Sequence, residues 1–394
     1  MRRVRKNKPG EPTAEIWGDY LESNFLTAVI LRSHPSCTAL DGAFRRAAIA
    51  KANFHVFPDF GSRATFGSRN ARAIQKDKTR ITEEGHVMKT LTADQVKVGF
   101  IGLGNMGSRM ARRLLDHGYH LEVYDRDPVK AEAMATNGGV VAKNIFEMAH
   151  NVDVLISCLT NDEAVHKVYT GADGFFAGAQ AGTVVFEMST ISPESSRELH
   201  KIGATRGIEV MDVAISGSTP AAEKGILTLL AGGNRELFGA AKPIFELLAK
   251  QYFLLGGPGS GTAMKLVVNT LLGVGMQAIA EAVVLGEKAG LDRKNFLEVL
   301  SQTAVITPAH VGKLARIAID DYTAQFPLRL MNKDFKLILQ AATEARIAMP
   351  ATEAAFRVNS EELAGGEEED FSAVVRRMEE IAGIASDRAA QVAS

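Results

Sequence analysis

The sequence predicts an α/β fold, in which a doubly wound parallel sheet precedes an all-α C-terminal domain. Three observations predict it. From Val96 to about Leu255, short apolar runs alternate with amphipathic stretches, the pattern of strands joined by helices. Glycines cluster after the first apolar run, where a strand must turn into a helix. Beyond the glycine-rich hinge near residue 258, every periodic stretch has a helical repeat. We therefore expect an N-terminal extension over residues 1–90, the sheet domain over 91–258 and the helical domain over 259–390.

The first strand and turn carry the most specific motif, Gly-x-Gly-x-x-Gly at residues 102–107. Gly102 allows a tight turn, Gly104 lets the backbone approach a pyrophosphate, and Gly107 lets the helix pack close to the strand. The helix, expected from Asn105 to about His117, directs its N-terminal dipole at the phosphates. This is the pattern of a Rossmann dinucleotide-binding domain. The residues expected to bind the cofactor here are Gly102, Leu103, Gly104, Asn105, Met106 and Gly107.

Two neighbouring residues at the end of the second strand bear on the choice of cofactor. Asp125 follows Gly107 by 18 positions, and a carboxylate there accepts hydrogen bonds from the adenosine ribose and repels a 2′-phosphate, which favours NAD. The adjacent Arg126 is able to pair with that phosphate, which favours NADP. A surface Asp-Arg turn before Pro128 is the structural alternative. The sequence therefore predicts NAD or NADP.

The other elements follow from the same periodicities. Strands are predicted at Lys97–Ile101, His120–Tyr124, Val140–Val141, Val154–Cys158, Thr183–Met188, Glu209–Ala214, Leu227–Ala231 and Tyr252–Leu255. Helices of the C-terminal domain are predicted at 262–289, 293–303, 308–319, 332–346, 351–363 and 370–383.

A loop of small residues follows the strand that begins at Glu209. Ser216, Gly217 and Ser218 expose backbone N–H groups and hydroxyls without bulky side chains, so they suit a substrate carboxylate. In isolation such a loop is more often only a turn. Its position at the C-terminal end of a strand, where open α/β sheets bind ligands, favours the functional interpretation.

Lys265 is the candidate catalytic residue. It lies one turn into the long apolar helix, and Asn269 is at i+4, so both side chains share one face. A lysine in such a helix either extends to solvent or lies in a cleft. In a cleft, desolvation lowers its pKa, and the ammonium group is then able to protonate a carbonyl oxygen as hydride reaches the carbon. Lys333 and Asp334 begin a later helix, where simple capping is the structural alternative.

Composition excludes several function classes. The chain is 46% hydrophobic and 23% charged with a net charge of −1, as in soluble globular proteins. Net charge is +6 over residues 1–87 and −7 over the rest, which argues against nucleic-acid binding by the latter. No apolar stretch is expected to reach the ~18 to 20 residues of a membrane span. Nucleotide-triphosphate and metal motifs are absent from the sequence, and the two cysteines form no framework, which favours a reducing, cytoplasmic location.

The first 87 residues allow three interpretations. They are rich in Arg and Ser like an organelle transit peptide, but Glu11 and Glu15 place acid where such peptides avoid it. They also suit a disordered basic arm. The third interpretation is a mis-assigned start, because Met88 lies about ten residues before the first strand. Mass spectrometry of the native N-terminus tests this, and a peptide from residues 20–70 would contradict a start at Met88.

Taken together, these motifs resemble the β-hydroxyacid dehydrogenase family, which includes 3-hydroxyisobutyrate dehydrogenase and tartronate semialdehyde reductase. The resemblance runs from about Val96 to Glu380 and is closest to the glyoxylate/succinic semialdehyde reductase branch. It rests on Gly-Phe-Ile-Gly-Leu-Gly-Asn-Met-Gly at 99–107, Met-Ser-Thr at 188–190, Ser-Gly-Ser at 216–218, Gly-x-Gly-x-x-x-Lys-x-x-x-Asn at 259–269, Phe-Pro-Leu at 326–328, Lys-Asp at 333–334, Met-Pro at 349–350 and Asp-Phe-Ser-Ala-Val at 370–374.

The resemblance implies roles for individual residues. Lys265 would be the catalytic acid/base, Thr190 would lie beside the nicotinamide and the substrate, and Lys333 would contact the cofactor. The remaining substrate-side positions would be Ser216, Gly217, Ser218, Asn269, Phe326 and Asp334. The branch usually has Asn-Arg-Thr where this chain has Asp125-Arg126-Asp127, which weakens the implied NADP preference. Thr160 replaces a proline that is frequent in the family.

The sequence therefore predicts an NAD(P)-dependent reductase of small aldehyde- or keto-acids, acting as a homo-oligomer on a small-molecule substrate, without metal. A dehydrogenase that works mainly in the oxidative direction on 3-hydroxyisobutyrate or a similar acid would use the same residues. An imine reductase shares the fold, but that group usually lacks the lysine. A non-catalytic NAD(P)-binding scaffold is the alternative from another class.

Overall fold

The computed structural model of the protein describes residues 89–384, all within the compact unit Glu84–Ser394. The predictions on residues 1–88 lie outside this range. The expected domain boundaries at 91, 258 and 390 remain predictions.

Within residues 89–384, eight strands form one sheet with the order β3-β2-β1-β4-β5-β6-β7-β8. All neighbouring pairs are parallel except β6 with β7. The first six strands thus have the doubly wound order, which confirms the predicted fold class. The strands are β1 Lys97–Ile101, β2 His120–Tyr124, β3 Val140–Val141, β4 Val154–Ser157, β5 Val184–Glu187, β6 Glu209–Ser216, β7 Leu227–Gly232 and β8 Ala249–Leu254.

Nine helices accompany the sheet in the described residues. They are α1 Gly107–Asp116, α2 Pro128–Ala135, α3 Ile145–Asn151, α4 Asp162–Thr170, α5 Phe175–Gly178, α6 Pro193–Ala204, α7 Thr219–Lys224, α8 Arg235–Ala240 and α9 Lys242–Leu248. The helical domain follows, with α10 Ser260–Lys288, α11 Arg293–Ser301, α12 Pro308–Ile317, α13 Leu328–Ala345, α14 Pro350–Gly366, a 3₁₀ turn Phe371–Ala373 and α15 Val374–Ile381.

Three element predictions need correction. The helix predicted over 332–346 begins at Leu328, so Lys333 and Asp334 lie in its second turn and do not cap its start. Strand β8 begins at Ala249, not Tyr252, because Lys250 and Gln251 are exposed on an edge strand and give no apolar signal. The helix predicted over 370–383 is a 3₁₀ turn followed by α15. Asp370 causes the break, since its side chain caps the turn and its backbone pairs with Pro327.

Burial follows the alternation of side chains along the strands. On β1, Val98 and Phe100 belong to the core on one face of the sheet, whereas Ile101 belongs to the core on the other face. A third cluster, around Met276 and Phe335, fills the helical domain. Each face of the sheet therefore buries its own apolar layer, as a doubly wound sheet requires.

Helix α10 corrects the expectation about apolar stretches. It is long and apolar enough to cross a membrane by length and composition, with a mean hydropathy of 1.6 over 18 residues. A core helix of a globular protein has the same character, and α10 packs against β6, β7 and α13. The apolar side chains of α10 that face β6, β7 and α13 therefore pack within the protein.

The glycine-rich segment before α10 is closely packed against the sheet. A Cβ atom on Gly261 would lie 2.2 Å from the carbonyl oxygen of Leu230, and one on Gly232 would lie 2.7 Å from that of Gly257. These glycines therefore permit a close approach between the start of α10 and β7. The segment that the sequence suggests as a hinge is an anchored junction.

Candidate active site

The C-terminal ends of β1, β2, β4, β5 and β6 meet at one edge of the sheet because these strands are parallel. Ligands of open α/β sheets bind at this edge. The predicted cofactor and substrate segments follow these strand ends, so the topology brings them to one side of the protein.

The turn after β1 has the geometry that a dinucleotide requires. Gly102 has a φ of +93°, and a Cβ there would lie 2.3 Å from the carbonyl oxygen of Cys158. A Cβ on Gly107 would lie 1.9 Å from the carbonyl oxygen of Gly102, so only glycine lets α1 start there. Beside the exposed Gly104, no other part of residues 89–384 comes within 4 Å of an added Cβ. The backbone is thus accessible where a pyrophosphate would lie, with Asn105 and Met106 next in the turn.

Asp125 is held against this turn. Its Oδ2 accepts a hydrogen bond from the Leu103 N–H at 2.7 Å, and its Oδ1 accepts one from the Asp127 N–H at 2.9 Å. Arg126 is exposed next to it. The carboxylate therefore stands at the end of β2 and beside the glycine turn, the place where it meets an adenosine ribose in Rossmann domains. These residues fit a nicotinamide dinucleotide.

The loop that carries Thr190 is fixed from both domains. On the sheet side, the buried Glu187 accepts a hydrogen bond from the Ser189 N–H at 2.7 Å, and Ser189 Oγ accepts one from the Leu159 N–H at 2.7 Å. From the helical domain, Lys333 Nζ donates to the Thr190 carbonyl oxygen at 2.5 Å. Thr190 is thus presented at the junction of the two domains.

Lys265 is partly buried one turn into α10. Its pKa is lowered from the ordinary lysine value because burial penalises the ammonium form, and the positive charge of Lys333 adds to this effect. The carboxylate of Asp334 acts in the opposite direction. Because the side chain is partly buried and does not extend freely into solvent, the structure favours the cleft over the solvent-exposed alternative.

Asn269 lies one turn after Lys265 on α10 and forms a hydrogen bond to the neighbouring helix α13. Its Nδ2 donates to Asp334 Oδ2 at 2.6 Å, and both side chains are buried. Lys333 Nζ lies 2.8 Å from Asp334 Oδ1. The buried Oδ1 of Asn269 has no hydrogen-bond partner among residues 89–384. An unpaired buried acceptor beside a lysine is the kind of atom that a bound ligand satisfies.

The serine loop ends β6. Ser216 is partly buried, whereas Gly217 and Ser218 are exposed. Gly217 has a φ of +141°, and a Cβ there would lie 2.7 Å from the side chain of Leu227. Ser218 then precedes α7 as its N-terminal flanking residue. The loop is exposed and made of small residues, as the predicted carboxylate site requires.

Phe326 is positioned by a buried ion pair that the sequence analysis missed. Asp370 Oδ2 accepts from Lys313 Nζ at 2.6 Å and from the backbone N–H groups of Gln325 and Phe326. The Phe326 ring packs edge-on against Phe371 at 5.7 Å. An acid within an apolar segment was the available signal for Glu187 and Asp212. Asp370 ends the acidic run that starts at Glu367, so its burial gave no such signal in the sequence.

Chemically, the arrangement combines an ammonium group of lowered pKa, a buried amide acceptor and a small-residue loop. These are the chemical groups that binding a small polar substrate and transferring a proton to or from its oxygen require. Among residues 89–384, no group of three or more His, Cys, Asp or Glu side chains is placed to hold a metal ion.

Two family models match this chain. The one described as the NAD binding domain of 6-phosphogluconate dehydrogenase matches residues 97–257. The one described as the NAD-binding of NADP-dependent 3-hydroxyisobutyrate dehydrogenase matches residues 259–378. Their junction falls at the anchored segment before α10.

Curated relatives and solved structures are similar over the same region. The 2-(hydroxymethyl)glutarate dehydrogenase of Eubacterium barkeri is 33% identical over 73% of this chain and 97% of its own. The glyoxylate/succinic semialdehyde reductase 1 of Arabidopsis thaliana is 32% identical over 71% and 97%. The structure of a Mycobacterium tuberculosis 3-hydroxyisobutyrate dehydrogenase with L-serine has a TM-score of 0.66 at 30% identity, and covers 71% of this chain and 98% of its own.

Proposed function

The chain belongs to the β-hydroxyacid dehydrogenase family and is an NAD(P)-dependent oxidoreductase, and we propose that it reduces small aldehyde- or keto-acids to hydroxyacids with Lys265 as the general acid. The observation that carries this proposal is the partial burial of Lys265, which lowers its pKa, one turn before the buried and unpaired amide oxygen of Asn269. The proposed substrates are glyoxylate, succinic semialdehyde and tartronate semialdehyde.

In the proposed reaction, the bound nicotinamide cofactor supplies the hydride. Lys265 Nζ holds the proton that the carbonyl oxygen receives, and its lowered pKa eases that transfer near neutral pH. Asn269 Oδ1 accepts a hydrogen bond from the lysine ammonium group or from the hydroxyl of the hydroxyacid product. Ser216, Gly217 and Ser218 hold the carboxylate, and Phe326 and Thr190 bound the site. Asp334 is buried, so it acts through Asn269 and Lys265.

NAD is the proposed cofactor in preference to NADP. Asp125 is fixed at the end of β2 by two backbone donors, so its negative charge has little freedom to leave the ribose site. A 2′-phosphate there would meet that charge, whereas ribose hydroxyls would donate to it. The adjacent Arg126 is exposed.

A second candidate function is oxidation of 3-hydroxyisobutyrate or a similar β-hydroxyacid. The similarity to the 3-hydroxyisobutyrate dehydrogenase of M. tuberculosis favours it. In that direction Lys265 would act as the base, for which a lowered pKa is equally suited.

A second copy of this chain is the proposed protein partner. Along α10, Met264, Val267, Leu271 and Leu285 are exposed, although the opposite side of the helix packs on the sheet and the helical domain. Burying such an apolar stripe stabilises an association.

A cytoplasmic location is also proposed, because the cysteine usage of the sequence suits a reducing compartment. Cell fractionation tests that assignment.

The test is a substrate panel measured in both directions. Oxidation of NADH and NADPH is followed with the three aldehyde acids, and reduction of NAD⁺ and NADP⁺ with the matching hydroxyacids and 3-hydroxyisobutyrate. We expect turnover of at least one aldehyde acid with higher kcat/KM for NADH than for NADPH. Turnover of 3-hydroxyisobutyrate alone would support the second candidate, and no turnover by the folded protein would refute both.

A further inference from the structure

Asp212 is a buried carboxylate with no place in the proposed reaction. It lies on β6, four residues before Ser216, and is 1% exposed. Its Oδ1 accepts from the Gly259 N–H at 2.8 Å and lies 3.1 Å from His200 Nε2. Its Oδ2 accepts from the Thr262 N–H at 2.9 Å and from Thr262 Oγ1 at 3.3 Å.

These contacts cap α10 from another element. The residue that flanks α10 is Gly259, which has no side chain to satisfy the free N–H groups at the helix start. Asp212 provides the acceptor oxygens from β6, and a negative charge there is also favourable at a helix N-terminus. The start of α10 is therefore bonded to the strand.

This cap lies between the two segments that form the proposed substrate site. Lys265 follows Thr262 by three residues, so it lies about 4.5 Å further along the helix axis and on a neighbouring face. Ser216 follows Asp212 by four residues, about 13 Å along the strand. The carboxylate of Asp212 therefore links the helix that carries the lysine to the strand that ends in the serine loop.

The backbone of Gly232 lies close to the carboxylate and to the start of α10. A Cβ on Gly232, which pairs with Asp212 across β6 and β7, would lie 2.8 Å from Asp212 Oδ1 and 2.8 Å from the Gly261 nitrogen. The hydrogen bonds from the Gly259 and Thr262 N–H groups to Asp212 hold the first turn of α10 on β6, so we expect their loss to displace that turn and Lys265 with it.

We propose that Asp212 is a positioning residue, whose carboxylate fixes the start of α10 against β6 and so sets the place of Lys265 relative to Ser216. This inference rests on the proposed role of Lys265 only for its effect on activity. Its effect on the lysine itself is measurable in the absence of substrate and cofactor.

The test measures the titration of Lys265 in the cofactor-free full-length protein. Trace acetylation with acetic anhydride is carried out across a pH range, and the Lys265 peptide is quantified by mass spectrometry. The charged groups that act on this lysine are Asp334 and Lys333, and both are unchanged in the variants. In wild type, the labelling midpoint is expected below the ordinary lysine value of about 10.4.

In Asp212→Asn, the side chain has one acceptor oxygen and cannot accept from both the Gly259 and the Thr262 N–H groups. We expect the start of α10 to loosen and Lys265 to become more exposed to solvent. We expect the labelling midpoint to rise toward the ordinary value, and kcat to fall about 10- to 100-fold from the displacement. KM for the nicotinamide cofactor should change less than twofold, since the turn at 102–107 is untouched. Asp292→Asn is the matched control, because it alters a capping carboxylate on α11 alone; its midpoint and kcat should equal those of wild type.

Thr262→Val is the second variant, which loses only the hydroxyl donor and should shift the midpoint in the same direction by less. The labelling midpoint is read in each of the two variants that folds. If it equals that of wild type, the proposal is overturned, even if thermal stability falls. A shifted midpoint without any turnover in wild type would support the positioning role and refute the proposed function separately.

Discussion

Asn269 Nδ2 donates a hydrogen bond to Asp334 Oδ2 at 2.6 Å, and both side chains are buried at the contact between α10 and α13. The resemblance placed both residues on the substrate. In the structure Asp334 is bonded to Asn269, and its negative charge opposes the lowering of the Lys265 pKa by burial. From these contacts we expect Asp334 to orient the amide and to favour the protonated form of the lysine.

Asp334→Asn should move the pH profile of carbonyl reduction to lower pH. Removing the negative charge lowers the pKa of Lys265 further, and reduction needs the protonated ammonium, so activity is lost at a lower pH than in wild type. The measurement is kcat/KM against pH, with Glu344→Gln on the exposed end of α13 as control. An alkaline limb that stays in place would contradict the electrostatic role of Asp334.

Lys265→Ala should lower kcat by about 10² to 10⁴, the usual contribution of a general acid. NADH binding, measured by fluorescence, should be retained because the glycine turn is unchanged. Lys336→Ala removes an exposed lysine from α13 and serves as the control for the loss of a positive charge. Full activity of Lys265→Ala would refute the assignment.

Asp125→Asn should shift the cofactor preference toward NADP. The amide keeps an acceptor for the Leu103 N–H but removes the charge that a 2′-phosphate would meet, so the ratio of kcat/KM for NADPH over NADH should rise about 10-fold or more. Asp127→Asn alters the cap of α2 and should leave the ratio unchanged. A wild-type enzyme that prefers NADPH would contradict the proposed role of Asp125.

The parts of the site that depend on local sequence were predictable. The glycine spacing at 102–107 fixes a turn within six residues, and the i+4 spacing places Asn269 beside Lys265. The cap from Asp212 to Thr262 joins residues 50 apart, and the ion pair from Lys313 to Asp370 joins residues 57 apart. Residues so far apart are not related by a helix or strand repeat. The partners of these buried carboxylates could therefore be identified only from the folded structure.

The buried pair of Lys313 and Asp370 should stabilise the fold as well as position Phe326. Asp370→Ala leaves the lysine buried without its partner, and we expect the free energy of unfolding to fall by about 3 to 5 kcal/mol. The exposed pair of Arg112 and Asp116 provides the control, since Asp116→Ala should change stability little. Urea denaturation gives both values.

The same pair predicts a pH dependence of stability. The pKa of Asp370 is lowered in the folded state, although its burial acts in the opposite direction, because Lys313 and the N–H groups of Phe326 and Gln325 favour the ionised form. Its contribution is therefore present above the unfolded-state pKa of about 3.9 and is lost as pH falls through the folded-state value. The difference in unfolding free energy between wild type and Asp370→Ala should thus be constant near neutrality and shrink in acid. A difference that grows as pH falls would contradict this assignment.

The exposed stripe on α10 predicts a defined oligomer. Leu271 is 73% exposed although it lies on an apolar helix whose other side is covered, so a second copy that covers it would bury its side chain. Leu271→Glu would place a charge in that interface, and light scattering coupled to size exclusion should show a shift from oligomer to monomer. Ile319→Glu changes a residue of nearly equal exposure, 72%, after α12, and should leave the mass unchanged. A monomeric wild-type protein, or the same mass for wild type and Leu271→Glu, would show that the stripe is not the interface. Because Lys265 lies on the same helix, loss of activity in the monomer would further indicate that the partner copy supports the active site.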